Sequence, residues 1–218
     1  MVEPVTEGLF FRAPVPLPRG RHGLSREQIV DEQRERLMIA MTELLAAHGY
    51  ARVGVGEVAE RAGVSRASFY ECFADKQACA FAAYDRFIDV LLGRLAASVD
   101  PAAGWDEFMR TLLMTYFATL QEDLVVGRAF QVEMDAVGPE ARARRRTALV
   151  RFADFIAAQH QRLAAGDPSL RPRPRRAYLG AVYAARQVVS DLLDEEAAPD
   201  LLALDGDLVG WVADSLRS

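Results

Sequence analysis

The feature that most constrains this chain is Val55–Phe73, where two short helical periodicities meet across a single glycine. Val55, Val58, Ala59 and Ala62 share one face of a helix. Gly63 then breaks the period, and Phe69, Cys72 and Phe73 fall within one arc of a following helix. Ser65 is placed to cap that second helix. Val64 and Phe69, at its N′ and N4 positions, are placed to form a hydrophobic staple that sets the entry angle. The segment therefore predicts a tight turn between two short helices, one helix lying across a partner's surface and the next free to enter a groove.

The flanking sequence is helical too. Leu37, Ala40, Met41, Leu44, Leu45 and His48 make one stripe, which starts from about Ser25 and is stopped by Gly49. Asp75 can cap a fourth helix running through Lys76, Phe81, Tyr84, Ile88, Leu91, Leu92 and Leu95, and Pro101 ends it. Five further helical stretches follow, roughly 105 to 121, 123 to 137, 140 to 165, 174 to 196 and 200 to 216. Gly138-Pro139, Gly166-Asp167-Pro168 and Ala198-Pro199 punctuate them. No run reads as a strand and no fixed-period repeat is visible, so the expected fold class is all-α. Residues 1–24, rich in proline and ending in Pro18-Arg19-Gly20-Arg21-His22-Gly23, read as a flexible arm with a basic end.

Composition narrows the function classes. With 51% hydrophobic and 26% charged residues the chain belongs among soluble globular proteins, and no apolar run approaches a membrane span. Glu3, Glu7 and the prolines Pro4, Pro14, Pro16 and Pro18 are unlike a secretory signal, so the expected location is cytoplasmic. A net charge of −5 gives no diffuse basic coat, and any nucleic-acid contact must be local. Cys72 and Cys79 lack metal or redox spacing and read as two small buried thiols. His22, His48 and His160 are too scattered for a zinc motif. Neither a nucleophile–base pairing nor a phosphate loop is recognisable, so no cofactor, metal or catalytic role is expected.

Leu44-Leu45-Ala46-Ala47-His48-Gly49-Tyr50, Val58-Ala59-Glu60-Arg61-Ala62-Gly63-Val64-Ser65, Phe69-Tyr70, Phe73 and Lys76 together resemble the N-terminal domain of the TetR/AcrR family of transcriptional regulators, over residues 26 to 85. The resemblance implies a helix-turn-helix DNA-binding domain over 25–75, with its recognition helix at about 65–73. A helical ligand-binding and dimerisation domain would occupy 76–218. It also implies that Tyr70 contacts a phosphate, that Lys76 reaches the backbone from the start of helix four, and that Arg66, Ala67, Ser68 and Glu71 face the bases. The chemistry agrees: a phenol and an ammonium suit phosphate oxygens, and a guanidinium can bond guanine O6 and N7 together. Ser65 joins this set as the cap. Val53 and Gly54 stand where the family usually has threonines, and Cys72 where it has a histidine or aromatic residue. Glu71 has two open readings, acceptance from a cytosine N4 or pairing aside with an arginine. Arg19, Arg21 and Arg26 are either a plain tail or minor-groove and phosphate contacts.

Beyond helix four only helix number, length and order resemble the family. The implied partners are operator DNA, a second copy of the chain and a small apolar or amphipathic effector, with repression the default and activation an alternative. The other alternative is a helical ligand-binding or enzymatic protein with a vestigial head. Large apolar side chains concentrate at Tyr84, Phe87, Trp105, Phe108, Met109, Leu112 and Tyr116, then Phe130, Met134, Phe152, Phe155 and Tyr178, and are expected to enclose an effector cavity. Arg128, Glu133, Arg186 and Gln187 are available as polar anchors, although solvated charge suits each as well. Arg142, Arg144, Arg145, Arg146 and Arg151 alternate with alanines and read as a solvated face. Two late stripes are expected to pair with a symmetry mate as a four-helix bundle. The first holds Ala181, Val182, Ala185, Val189 and Leu192, and the second Leu204, Leu208, Trp211 and Val212.

Overall fold

A computed structural model describes residues 2–15 and 25–217. Arg19 and Arg21 lie outside the described residues. Nine α-helices follow in chain order among those described: α1 Arg26–His48, α2 Val55–Ala62, α3 Arg66–Cys72, α4 Lys76–Ser98, α5 Trp105–Gln121, α6 Leu124–Gly127, α7 Pro139–Ala164, α8 Arg175–Glu195 and α9 Leu208–Arg217. The expected stretch at 123 to 137 is interrupted: α6 passes into a π turn, Arg128–Val132, and then a 3₁₀ turn, Glu133–Val137. The last expected helix is likewise split by a 3₁₀ segment at Leu201–Asp205.

The chain divides into two compact units, Met1–Phe87 with Val125–Ala141, and Ile88–Leu124 with Arg142–Ser218. The division between these units falls inside α4. In the first unit the rings of Tyr84 and Phe87 lie 5.8 and 5.2 Å from that of Phe130, which draws the early turns of α4 and the segment after α6 into one core. α1 begins with a reciprocal capping box, the Ser25 hydroxyl accepting from Gln28 N at 3.1 Å and Gln28 Oε1 accepting from Ser25 N at 2.8 Å. Its apolar stripe is buried from Leu37 to Leu45, while His48 leaves the stripe and is exposed.

The reading of residues 1–24 as a flexible arm is corrected for its described part. Val5, Phe10 and Phe11 are core residues, and the Phe10 ring packs 5.4 Å from that of Phe87. Three glutamates on α1, nearly fully buried, hold the strap by its backbone. Val5 N donates to Glu43 at 3.1 Å, Arg12 N to Glu35 at 2.7 Å and Val15 N to Glu32 at 2.7 Å. The same carboxylates accept from Arg61 on α2, Arg86 on α4 and Arg36 on α1. Each buried charge is thereby paired and hydrogen-bonded, the condition under which burial is tolerated.

In the second unit α5 packs against α9 and the 3₁₀ segment before it, and α8 against α9. Trp105 Nε1 donates to the Ala213 carbonyl at 3.0 Å, and its ring stacks 4.2 Å from that of the fully buried His160. His160 Nδ1 shares a 2.8 Å bond with the Tyr178 hydroxyl, which also accepts from Arg173 N at 2.9 Å.

This packing bears on the expected dimer stripes. Ala181, Val182, Ala185, Val189, Leu208 and Val212 are already buried within the protomer, and Leu192 and Leu204 are half-buried. α8 packs against α9 and α9 against α5, and of these stripes Trp211, 55% exposed, stands outward.

His160 makes the second unit's stability pH-dependent. Burial, and then the charge of Arg173, hold its imidazole below the ordinary pKa of 6.5. Above 6.5 both folded and unfolded chains carry it neutral and its packing contributes in full. Below that value the unfolded chain takes up the proton first, and stability is lost as the pH falls toward the depressed folded pKa. Thermal melts from pH 7.5 to 5 are expected to show this loss, and His160→Gln should flatten that part of the curve. An unchanged pH slope in the variant would remove His160 as its source.

Candidate nucleic-acid interface

The segment from α2 to α3 is built by local chemistry. Gly63 ends α2 at φ +66, ψ 33, a left-handed conformation that a side chain would strain, and its N–H and that of Val64 reach back to Glu60 and Ala59 carbonyls. Ser65 caps α3, its hydroxyl accepting from Ser68 N at 3.0 Å. Phe69 is fully buried and Phe73 nearly so, their rings 6.0 Å apart, and these two anchor the inner face.

The outer face is then determined by periodicity: Arg66, Ala67, Tyr70 and Glu71 are exposed and Ser68 half-exposed. Tyr70 is 59% exposed and stands edge-on to Phe69 at 5.5 Å, so its hydroxyl projects from a rigid base. Ser65 and Ser68 are turned toward each other, hydroxyls 2.9 Å apart. Glu71 makes no ion pair among the described residues. Arg66 folds back over α2: a Cβ built on Gly56 would stand 2.3 Å from its Nη2, so glycine there is what gives the guanidinium its room.

Two positioning residues surround this face. Lys76, expected to reach for DNA, donates to the Tyr50 and Val53 carbonyls at 3.0 and 2.9 Å and lies 4.1 Å over the Tyr50 ring. Its ammonium thus braces the turn before α2, where Glu57 in place of a hydroxyl caps the helix by accepting from Gly54 N at 2.8 Å. Arg34 was not legible as a site residue. It donates to the Cys72 carbonyl at 2.7 Å and covers the Phe73 ring at 4.2 Å, a cation placed where the α3 dipole favours one. Nothing in the spacing of α1 marks it, since its partners lie far along the chain, beyond α2. Cys72 is half-buried and Cys79 fully buried, and burial pushes both thiols up, which lowers their thiolate share.

Residues 39–83, which hold all of α2 and α3, match the model of the "Bacterial regulatory proteins, tetR family". Residues 39–83 are thus a tetR-family segment. Among tetR-like relatives, the HTH-type transcriptional activator FasR of Mycolicibacterium smegmatis is 29% identical over 93 residues, 43% of this chain and 42% of the relative. The chain thus matches less than half the length of that curated relative. Two solved structures share the fold at low identity. The fatty acid degradation regulator FadR from Bacillus halodurans is 18% identical with a TM-score of 0.73, covering 85% of this chain and 95% of its own. FadR from Bacillus subtilis, solved in complex with stearoyl-CoA, is 16% identical with a TM-score of 0.74, covering 83% and 97%.

The residues expected to form one effector cavity are divided between the two units. Tyr84, Phe87, Phe130 and Met134 are core of the first, while Trp105, Phe108, Met109, Leu112, Tyr116 and Tyr178 are buried in the second. Phe152 and Phe155 are different. They line a cleft of about 380 Å³ with Leu92, Leu95, Asp89 and Arg151, all in the second unit. Arg151, read from sequence as part of a solvated face, therefore stands at this cleft. Of the other anchors, Arg186 is buried, and Gln187 is exposed and bonds Asp191 at 2.6 Å.

Proposed function

We propose that this chain is a sequence-specific DNA-binding transcriptional regulator that works as a homodimer and responds to an apolar or amphipathic effector. The observation that carries this reading is the coincidence of the family match with α3, a helix anchored inside by Phe69 and Phe73 and presenting Arg66, Ala67, Tyr70 and Glu71 outward. Two such helices in successive major grooves would sit ~34–36 Å apart on a roughly palindromic operator. Repression follows the family default. Activation is the second reading, favoured by the one observation that the FasR relative is named an activator.

A salt-dependent gel shift on palindromic fragments from the DNA upstream of the gene tests the regulator reading. Absence of any shift at low salt would sink it. Within that assay Arg66→Ala should lose about 1–3 kcal/mol of discrimination at one base position. Tyr70→Phe should weaken all sequences alike, by about 1 kcal/mol. Uniform loss in both variants would take base reading away from Arg66.

For the effector, the cleft at Phe152 and Phe155 supports an acyl chain, with Arg151 available to an anionic group and Asp89 to a donor. The B. subtilis FadR structure holds stearoyl-CoA, so long-chain acyl-CoAs are the first probes. A ligand that binds the folded chain raises its melting temperature, and one that prefers a single head spacing changes operator affinity. Phe155→Arg should abolish the thermal shift, measured as the difference between the liganded and free variant. A retained shift would move the effector elsewhere.

A further inference from the structure

Gly56 sits at the second position of α2, inside a helix of eight residues, and the usual reasons for a glycine do not apply to it. Its φ is not positive, unlike that of Gly63, and the N-cap of α2 is Gly54. In a helix interior glycine costs backbone freedom that alanine does not, and only proline is less favourable. The distinguishing feature is the space beside it. A Cβ built on Gly56 would collide with Nη2 of Arg66 and stand 3.0 Å from its Cζ and Nε, so the guanidinium fills the volume that any other side chain needs.

Arg66 is the first residue of α3, yet its side chain runs back to α2. It is exposed and makes no hydrogen bond or ion pair among the described residues, so close packing on Gly56 is what places it, and its N–H donors are unspent. An exposed arginine without such a seat samples many rotamers, which it must give up on binding. Bonding guanine O6 and N7 together also demands that the planar fork meet the base edge squarely, and a fork pushed aside keeps one bond at most. The atoms that a Cβ would meet are the far end of a flexible side chain. Displacing them is therefore cheap for the fold and costly for recognition.

We propose that Gly56 is a specificity-determining residue of the DNA interface. By leaving its Cβ volume to Arg66 it sets the place of the guanidinium before DNA arrives, and so decides which base that fork reads. The proposal rests on the DNA-binding reading above and on the base contact assigned there to Arg66. Gly56 itself touches no base: it is a positioning residue on α2 that acts through a side chain of α3.

The test compares Gly56→Ala, Arg66→Ala and the chain carrying both, by thermal melts and by gel shifts on the bound fragment with each base varied in turn. Gly56→Ala should melt at or above the wild type, because alanine is the better helix former. At the one base position that Arg66→Ala relaxes, its discrimination should fall at least about fivefold, while preferences elsewhere stand. The double variant should discriminate like Arg66→Ala alone, since without the guanidinium the added Cβ displaces nothing. Three results overturn the proposal: wild-type preferences in Gly56→Ala, an equal loss on all sequences, or a further loss when Gly56→Ala is added to Arg66→Ala. The last would mean that DNA approaches Gly56 directly. A wild-type chain that shifts no fragment at low salt would instead overturn the regulator reading on which the proposal rests.

Discussion

Phe69→Ala should destabilise the first unit by about 3–5 kcal/mol, the range for truncating a fully buried phenylalanine, and with it abolish operator binding. The ring is completely inaccessible, and Tyr70 and Phe73 lean on it at 5.5 and 6.0 Å. α3 is a helix of seven residues, too short to hold its conformation without tertiary anchoring. Removing this anchor leaves Phe73, the Ser65 cap and Arg34's bond to the Cys72 carbonyl as its restraints, the last two each worth on the order of 1 kcal/mol. The measurement is a thermal melt beside a gel shift. A loss of this size lowers the melting temperature of a small unit by more than roughly 10 °C. The informative contrast is Tyr70→Phe, which should leave the melt alone and weaken DNA. If Phe69→Ala melted like the wild type, the account of α3 as a helix held from inside would fail.

Deleting residues 2–15 is the second large effect. The strap buries Val5, Phe10 and Phe11, and its removal uncovers the face of Phe87 that Phe10 covers. It also takes three backbone donors away from Glu32, Glu35 and Glu43, leaving buried carboxylates with fewer partners. Together these amount to at least about 4 kcal/mol, enough to make the first unit marginal. Phe10→Ala alone should give most of that loss by emptying its place against Phe87, at about 3–5 kcal/mol. Denaturant unfolding of both variants checks this. Wild-type midpoints would mean that the strap adds nothing to the unit.

The strap also shows where sequence reading stops. Proline-rich, aperiodic residues 1–24 carry the local signature of an arm, and the burial of Phe10 depends on a partner as distant as Phe87. Glu32, Glu35 and Glu43 carry no local signal of their role, because it requires donors from another part of the chain. Lys76 shows the same limit at the site. Its position resembles a backbone-contacting lysine, yet in the folded chain its ammonium is occupied by the Tyr50 and Val53 carbonyls.

The Val55–Phe73 segment was legible because its structure is written in neighbouring residues. A glycine that tolerates left-handed backbone, a serine at the cap and apolar residues three and four apart act within one or two turns, and α2, the turn and α3 follow from them with the outer face of α3 included. The all-α class and most helix limits are local in the same sense. What only the tertiary structure decided is which apolar stripes spend themselves inside the protomer. The spacing of Ala181, Val182, Ala185 and Val189 defines a face but not its partner, and in the folded protomer that face is buried, with α8 packed against α9. Likewise, periodicity shows that aromatics are turned inward but not whether they meet each other or a cleft. That choice depends on how distant helices fill space, and it placed Phe152 and Phe155 at a cleft.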